Sequence, residues 1–404
     1  MTPITPITHK DLASIMEDVI CRPYEGLMVR PTAFQVEILG DIIAQAPCCD
    51  PIAPGTYLKA LKMAIRCDST PAVELILPLL SPEDLQEGLT IAVQELRPEA
   101  VARLIPLTDP AADNSAALRL AVASRPRSSC ADREACVRAL LSVSDATVFN
   151  SEPLRSEIEG AMQPEVIQML LSASDAKAAH SSALRSAARR GDPDVLALLL
   201  PVSDPEASQS DALMLAAKLG HAECVELLLL ASNIAEANNR ALFLAAENGH
   251  AKCVRALLPF SNPLADDSYA LCMATENGHA ECVKLLIPVS DPKSDDSYAL
   301  RRAAELGDSE CVRLLAPVSD IFSRDSFALR SAVAGGHCEA VAALLLAEPS
   351  LASRCDLRKL RAKASAEGDV EVEQVLAAFI EQIEITSLLA AEPGCDRRAT
   401  TSRL

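Results

Sequence analysis

Residues 270–287 read ALCMATENGHAECVKLLI. Leu271 and Ala274 before Gly278, and Val283 and Leu286 after it, follow the spacing of apolar helix faces. Gly278 suits the left-handed position that ends one helix, and His279 stands where the next would begin. His279 and Cys282 are three positions apart, which places two zinc-ligand types on one helix face. The stretch therefore poses a choice between a metal-bearing helix and a turn joining two short core helices.

Its recurrence decides. Gly191, Gly220, Gly249, Gly278, Gly307 and Gly336 follow at intervals of 29 residues, and the degenerate copy at Gly368 follows after 32. Similar phrases surround them: ALMLAAKLGHAECVELLL from Ala212, ALFLAAENGHAKCVRALL from Ala241, ALRRAAELGDSECVRLLA from Ala299. Ser181, Ser210, Asn239, Ser268, Ser297 and Ser326 stand three residues before the repeat Leu, and all are good N-cap types. Ser115 and Ser151 extend that series upstream. Connections such as PVSDPKSDD, residues 288–296, are rich in turn formers. The unit is helix, Gly turn, helix, loop. Weaker copies start at Ala60 and Gly88, and the unit at Ser115 carries extra residues, RPRSSCAD, at 125–132. About eleven units occupy residues 51–380, preceded by a 1–50 segment whose PTAFQVEILGDIIAQA reads as a capping helix and followed by a polar 381–404 tail.

These units resemble ankyrin repeats. Leu300, Ala303, Ala304, Gly307, Glu310, Val312, Leu314 and Leu315 fall on the family phrase without a gap, as do Leu213, Ala216, Ala217, Gly220, His221, Glu223 and Val225. The resemblance implies an all-α solenoid of stacked helix–turn–helix units and a non-catalytic role in protein–protein interaction, with scaffold and microbial effector among the settings of short arrays. The period is 29 where the family has about 33. The missing residues lie where ankyrin proteins place a β-hairpin, so the hairpins are expected to be shortened to loops. The family's T-P-L-H segment is replaced by Tyr298-Ala299-Leu300-Arg301, and the Ser and Asn caps stand just upstream of it.

The metal reading then loses. Cys224, Cys253, Cys282 and Cys311 share a position that Val195 and Ala340 fill elsewhere, so they read as small buried hydrophobes. His221, His250, His279 and His337 alternate with Asp192 and Asp308, so they read as turn residues. Neighbouring helices stack at about 8–10 Å, too far for one His/Cys pair to complete a zinc shell with the next or for adjacent ladder thiols to join. No metal and no cofactor is expected. Reduced thiols imply a cytoplasmic setting, although fourteen cysteines alone would allow a disulfide framework.

The chain is 50% hydrophobic with 3% aromatic residues and no Trp, which fits small Ala- and Leu-rich helices. A net charge of −19 argues against a nucleic-acid or anionic-membrane surface and favours a basic or mixed-charge protein partner. No apolar run is long enough to span a bilayer.

The positions free to vary should make the recognition surface. Arg240, Tyr269, Tyr298 and Phe327 follow the cap residue in their units, and Arg301 and Arg330 follow the repeat Leu, in a series with Arg185, Met214, Phe243 and Cys272. A Tyr, Phe and Arg stripe has the composition of an interface centre. The competing account is packing between repeats, which weighs equally for Phe243. Asp266-Asp267 and Asp295-Asp296 suit a basic partner and equally suit solvated caps. Arg125-Pro126-Arg127 is a candidate contact finger. Ser402-Arg403-Leu404 resembles an S-K-L peroxisomal address and also suits a carboxylate-binding groove. Phosphate-binding Gly loops and the H-E-x-x-H and G-x-S-x-G motifs are absent. The alternative class is an enzyme, or an enzyme's targeting subunit, with chemistry in residues 1–50; those hold one His and no compact nucleophile–base set.

Overall fold

The paired apolar segments form helix–turn–helix units in the computed structural model, which describes residues 56–124, 130–160, 163–175, 178–231 and 235–391. Those residues contain helices and turns and no strand, so the hairpins are indeed reduced to loops. They fall into two compact units, one ending at Asp204 and one running from Pro205, with the Gly191–Pro193 turn grouped with the second.

In the first unit, Thr56–Arg66 pairs with Thr70–Ile76, Pro82–Gln94 with Pro98–Leu104, Ala112–Ala123 with Cys130–Leu141, and Val148–Glu159 with Pro164–Ala173; Ala178–Arg190 follows. In the second, Ala207–Leu219 pairs with Ala222–Ala231, Ala235–Glu247 with Ala251–Leu257, and Ala265–Glu276 with Ala280–Leu286. Ser294–Leu306 then pairs with Ser309–Leu315, and Ser323–Ala334 with Cys338–Ala347. A short turn of helix leads to the closing pair, Leu357–Glu367 and Val370–Ala391. The last helix continues past residue 380, where the sequence reading begins its tail. The expected capping helix in residues 1–50, the Arg125-Pro126-Arg127 finger and Ser402-Arg403-Leu404 lie outside the described residues.

First helices pack on first helices and second on second, within each unit. The repeat positions make the core: Leu300, Ala303, Ala304, Val312 and Leu315 are fully buried, as are Leu271, Ala274, Val283 and Leu286 to within 1%. Each buried Leu or Val contributes about 1.5–3 kcal/mol. The paired Ala residues let neighbouring helices approach closely. Cys224, Cys253, Cys282 and Cys311 sit in this core as free thiols, 0–1% exposed. Cys67, by contrast, is disulfide-bonded, so the expectation of reduced thiols holds for the ladder and not for every cysteine.

The repeat Gly residues serve two purposes. Gly220 and Gly307 end their helices at φ 83° and 76°, in the left-handed region that penalises a side chain. They are also covered by the next repeat: a Cβ on Gly220 would lie 2.5 Å from His250 Nδ1, and one on Gly307 2.4 Å from His337 Nδ1. The histidines are thus more than turn residues. His250 Nε2 reaches Lys218 O at 3.0 Å, His279 Nε2 reaches Glu247 O at 3.0 Å, and His337 Nε2 reaches Glu305 O at 3.1 Å. A carbonyl only accepts, so Nε2 carries the proton. Asp308 behaves differently and caps its own helix through the Glu310 and Cys311 N–H groups.

Candidate protein-interaction face

Three first helices of the second unit begin with a local conformation that the residue types do not announce. Asp266, Asp267 and Ser268 all have positive φ (51°, 56° and 62°), as do Asp295, Asp296 and Ser297 (45°, 54° and 57°) and Arg324, Asp325 and Ser326. Asp is among the residues that tolerate this region. In these three repeats a left-handed turn therefore precedes the right-handed helix, whereas the Ala235–Glu247 helix begins without one. The turn redirects the buried Ser away from the capping role expected of it: Ser268 Oγ accepts from Asp291 N at 2.9 Å, and Ser297 Oγ from Asp320 N at 2.8 Å. Asn239 Oδ1 accepts from Asn262 N in the same way at 2.6 Å. Each Ser or Asn ties the start of its first helix to the loop that follows its second helix. The residue 23 positions after Ser326 is Pro349, which has no N–H to offer.

The candidate residues sit around these turns. Tyr269 is 43% exposed, and its ring meets Phe243 edge-on at 5.2 Å. Arg240 is exposed. Tyr298 is half-buried and donates its hydroxyl to Glu276 Oε1, which raises its pKa; burial and the Glu276 charge act in the same direction. Arg302 Nε lies 3.7 Å from the same carboxylate. Phe327 is half-buried. These residues line the same end of successive repeats, and Phe243 is shared between packing and surface.

Arg301 departs from the expectation of an exposed anchor. It is 8% exposed, donating from Nε to Asp296 O at 3.0 Å and from Nη2 to Asp295 O at 2.8 Å. Its guanidinium lies 5.6 Å from the Tyr298 ring centroid and 5.9 Å from that of Phe327. Arg301 is thus a clasp that holds the left-handed turn and bridges two repeats, with Nε and Nη2 donating within the chain. Arg330 donates to Arg324 O at 3.1 Å and Arg155 to Phe149 O at 3.1 Å, each six residues back, so the clasp recurs. Arg330, unlike Arg301, remains exposed. The signal was present in the sequence, since Arg returns at one repeat position, but its partner is a backbone carbonyl that no residue type announces.

A groove of about 830 Å³ elsewhere in the second unit is lined by Gly turns and second helices, including Glu223, Glu226, Lys252 and Arg255. It contains none of the candidate residues, and its charges alternate. Among the described residues no three of His, Cys, Asp and Glu gather as a metal-ligand set, and no helix is long and apolar enough to cross a membrane.

Three overlapping stretches, 158–240, 213–296 and 271–357, each match the family model for ankyrin repeats. Over that span the chain belongs to the ankyrin-repeat family. Such repeats are in general protein–protein interaction modules, and the family is typically non-enzymatic. No curated protein matches the sequence.

Proposed function

We propose that the chain is a non-catalytic scaffold or effector that binds a protein partner through the starts of its first helices and the adjoining loops, between Arg240 and Arg330. The observation carrying this reading is Tyr269, a 43%-exposed aromatic resting on Phe243 beside the exposed carboxylates of Asp266 and Asp267. A Tyr held by a neighbouring ring loses little conformational freedom on binding, and truncating such an anchor costs about 1–3 kcal/mol of affinity. The carboxylates and the net charge of −19 favour a basic partner.

The test is site-specific photocrosslinking. A benzophenone amino acid replacing Tyr269 should capture a partner that the same group replacing Leu306, exposed at the other end of a first helix, does not. Tyr269→Ala should then weaken binding of that partner by about ten- to a hundredfold. Capture from 306 alone, or normal binding by Tyr269→Ala, would place the interface elsewhere.

A further inference from the structure

The eight repeats from Ser115 to Ser326 can be compared at the position four residues after the Ser or Asn, which reads Arg119, Arg155, Arg185, Met214, Phe243, Cys272, Arg301 and Arg330. Seven of these side chains are long. Cys272 is the exception, and it cannot reach what Arg301 reaches one repeat further on.

Arg301 shows what the position is shaped to hold: a guanidinium on two successive carbonyls of a left-handed turn, between the rings of two successive repeats. The same parts surround Cys272. Asp266 and Asp267 repeat the left-handed geometry of Asp295 and Asp296. Among the described residues no side chain donates to their carbonyls and no cation pairs with their exposed carboxylates. Tyr269 and Tyr298 take the places of Tyr298 and Phe327. Burial, and then the charges of Glu276, Asp295 and Asp267, push the half-buried Cys272 thiol up to about 11, while Asp266 and Asp267 stay exposed beside it in the sequence.

We propose that the notch at Cys272 takes an arginine side chain of the protein partner, which completes there the clasp that Arg301 makes within the chain. A guanidinium meets every element of the site: planar donors for two adjacent carbonyls, a delocalised cation for two ring faces, and a charge opposite to Asp266 and Asp267. Lysine offers a compact ammonium that cannot span both carbonyls while lying against the rings. The inference rests on the interaction face proposed above and names the chemistry of what binds it.

Saturation-transfer NMR on the full chain tests this at low ionic strength, with a soluble glycine- and serine-rich peptide carrying one arginine, and its lysine and citrulline counterparts. Saturation should pass to the arginine side-chain methylenes and be at least about fivefold weaker for lysine and citrulline. Cys272→Arg should abolish the transfer by supplying the guanidinium internally, and should raise the melting temperature. Cys272→Met, which installs the side chain found at position 214, should also block the peptide without adding charge, while Cys272→Ala should leave the signal unchanged. Absence of transfer to the arginine peptide, equal transfer to all three peptides, or full transfer with both Cys272→Arg and Cys272→Met would overturn the proposal. If crosslinking from 269 captures a partner that Cys272→Arg and Cys272→Met both bind normally, the interaction face stands and the arginine notch fails.

Discussion

The regular repeats of the second unit and the interrupted repeat of the first solve one problem with opposite chemistry. Both must tie the end of a first helix to the repeat that follows. In the second unit a half-buried His lies over the preceding Gly and donates to one backbone carbonyl, as His279 does to Glu247 O. In the first unit the extra residues fall, in the sequence, between the two apolar segments of the repeat that begins at Ser115. The position of the His or Asp, three before the ladder Cys, is there Arg133. Arg133 is fully buried, donates to Val122 O at 2.8 Å and to Gln163 Oε1 at 2.7 Å, and forms a bidentate pair with Glu157, also fully buried. Glu157 in turn stands where other repeats place a core Ala, and it accepts from Gln163 N at 2.8 Å. A single hydrogen bond at a surface turn can be lost cheaply. A desolvated charge pair costs little as a unit and a great deal when halved. The insertion is therefore tolerated at the cost of making its repeat dependent on two residues together.

The largest effect expected from this contrast is at Glu157. Glu157→Ala should destabilise the first unit by about 3–5 kcal/mol by leaving the Arg133 guanidinium buried without its counter-charge. The double variant Arg133→Met with Glu157→Ala should recover most of the loss. Urea unfolding with hydrogen exchange over residues 112–173 reads this directly; a single-variant loss within about 1 kcal/mol would mean the pair is not the tie. The Gly turns come next. Gly249→Ala should cost about 1–3 kcal/mol, since φ is 77° and the new Cβ would meet His279 Nδ1 at 2.6 Å. Gly278→Ala should cost less, because its nearest neighbour is Asp308 Oδ2 at 3.2 Å. Equal melting shifts for the two would show that the backbone angle alone matters and that the His cover does not.

The smallest effect is on the alkaline side. Burial is the leading cause that raises the Cys224, Cys253 and Cys282 thiols to about 11. The unfolded chain releases these protons near the ordinary thiol value of about 8.5. The stability they contribute is therefore full below that pH and is lost as pH rises towards 11. The denaturant midpoint of the second unit should fall over that window, and fall less in a variant with all three changed to Ala. An unchanged pH profile in that variant would assign the alkaline loss to other groups.

Much of this architecture was legible in the sequence because repetition makes each position its own control. The helix pairs, the Gly turns, the buried ladder and the lost hairpins all follow from residues that recur in register. What escaped was contact between residues about one repeat apart. His279 looks like a turn residue until its ring is seen bonded 32 residues back. Ser297 looks like a helix cap until its hydroxyl is seen to serve Asp320, 23 residues on. Arg301 has the composition of an interface anchor, and only the left-handed turn beside it shows where its donors go. Arg133 and Glu157 could have been found, since each breaks the repeat pattern and they do so in adjacent repeats with opposite charge. Their burial could not, because it comes from contacts between residues of adjacent repeats.

The reach of the polar contacts in the second unit has a consequence for how its length can change. Asp291 addresses the Ser 23 residues before it and Asp320 does the same, while His250 and His279 each address a carbonyl 32 residues before. No such contact names a particular repeat; it names a distance along the chain. Excising or duplicating 29 residues from the regular stretch would hand every His a Gly to cover and every loop a Ser to hold. A cut of any other length would strand a ring or a hydroxyl at each step beyond it. Unequal recombination between neighbouring copies in this stretch would thus yield folded proteins of altered length, each with its own row of binding residues.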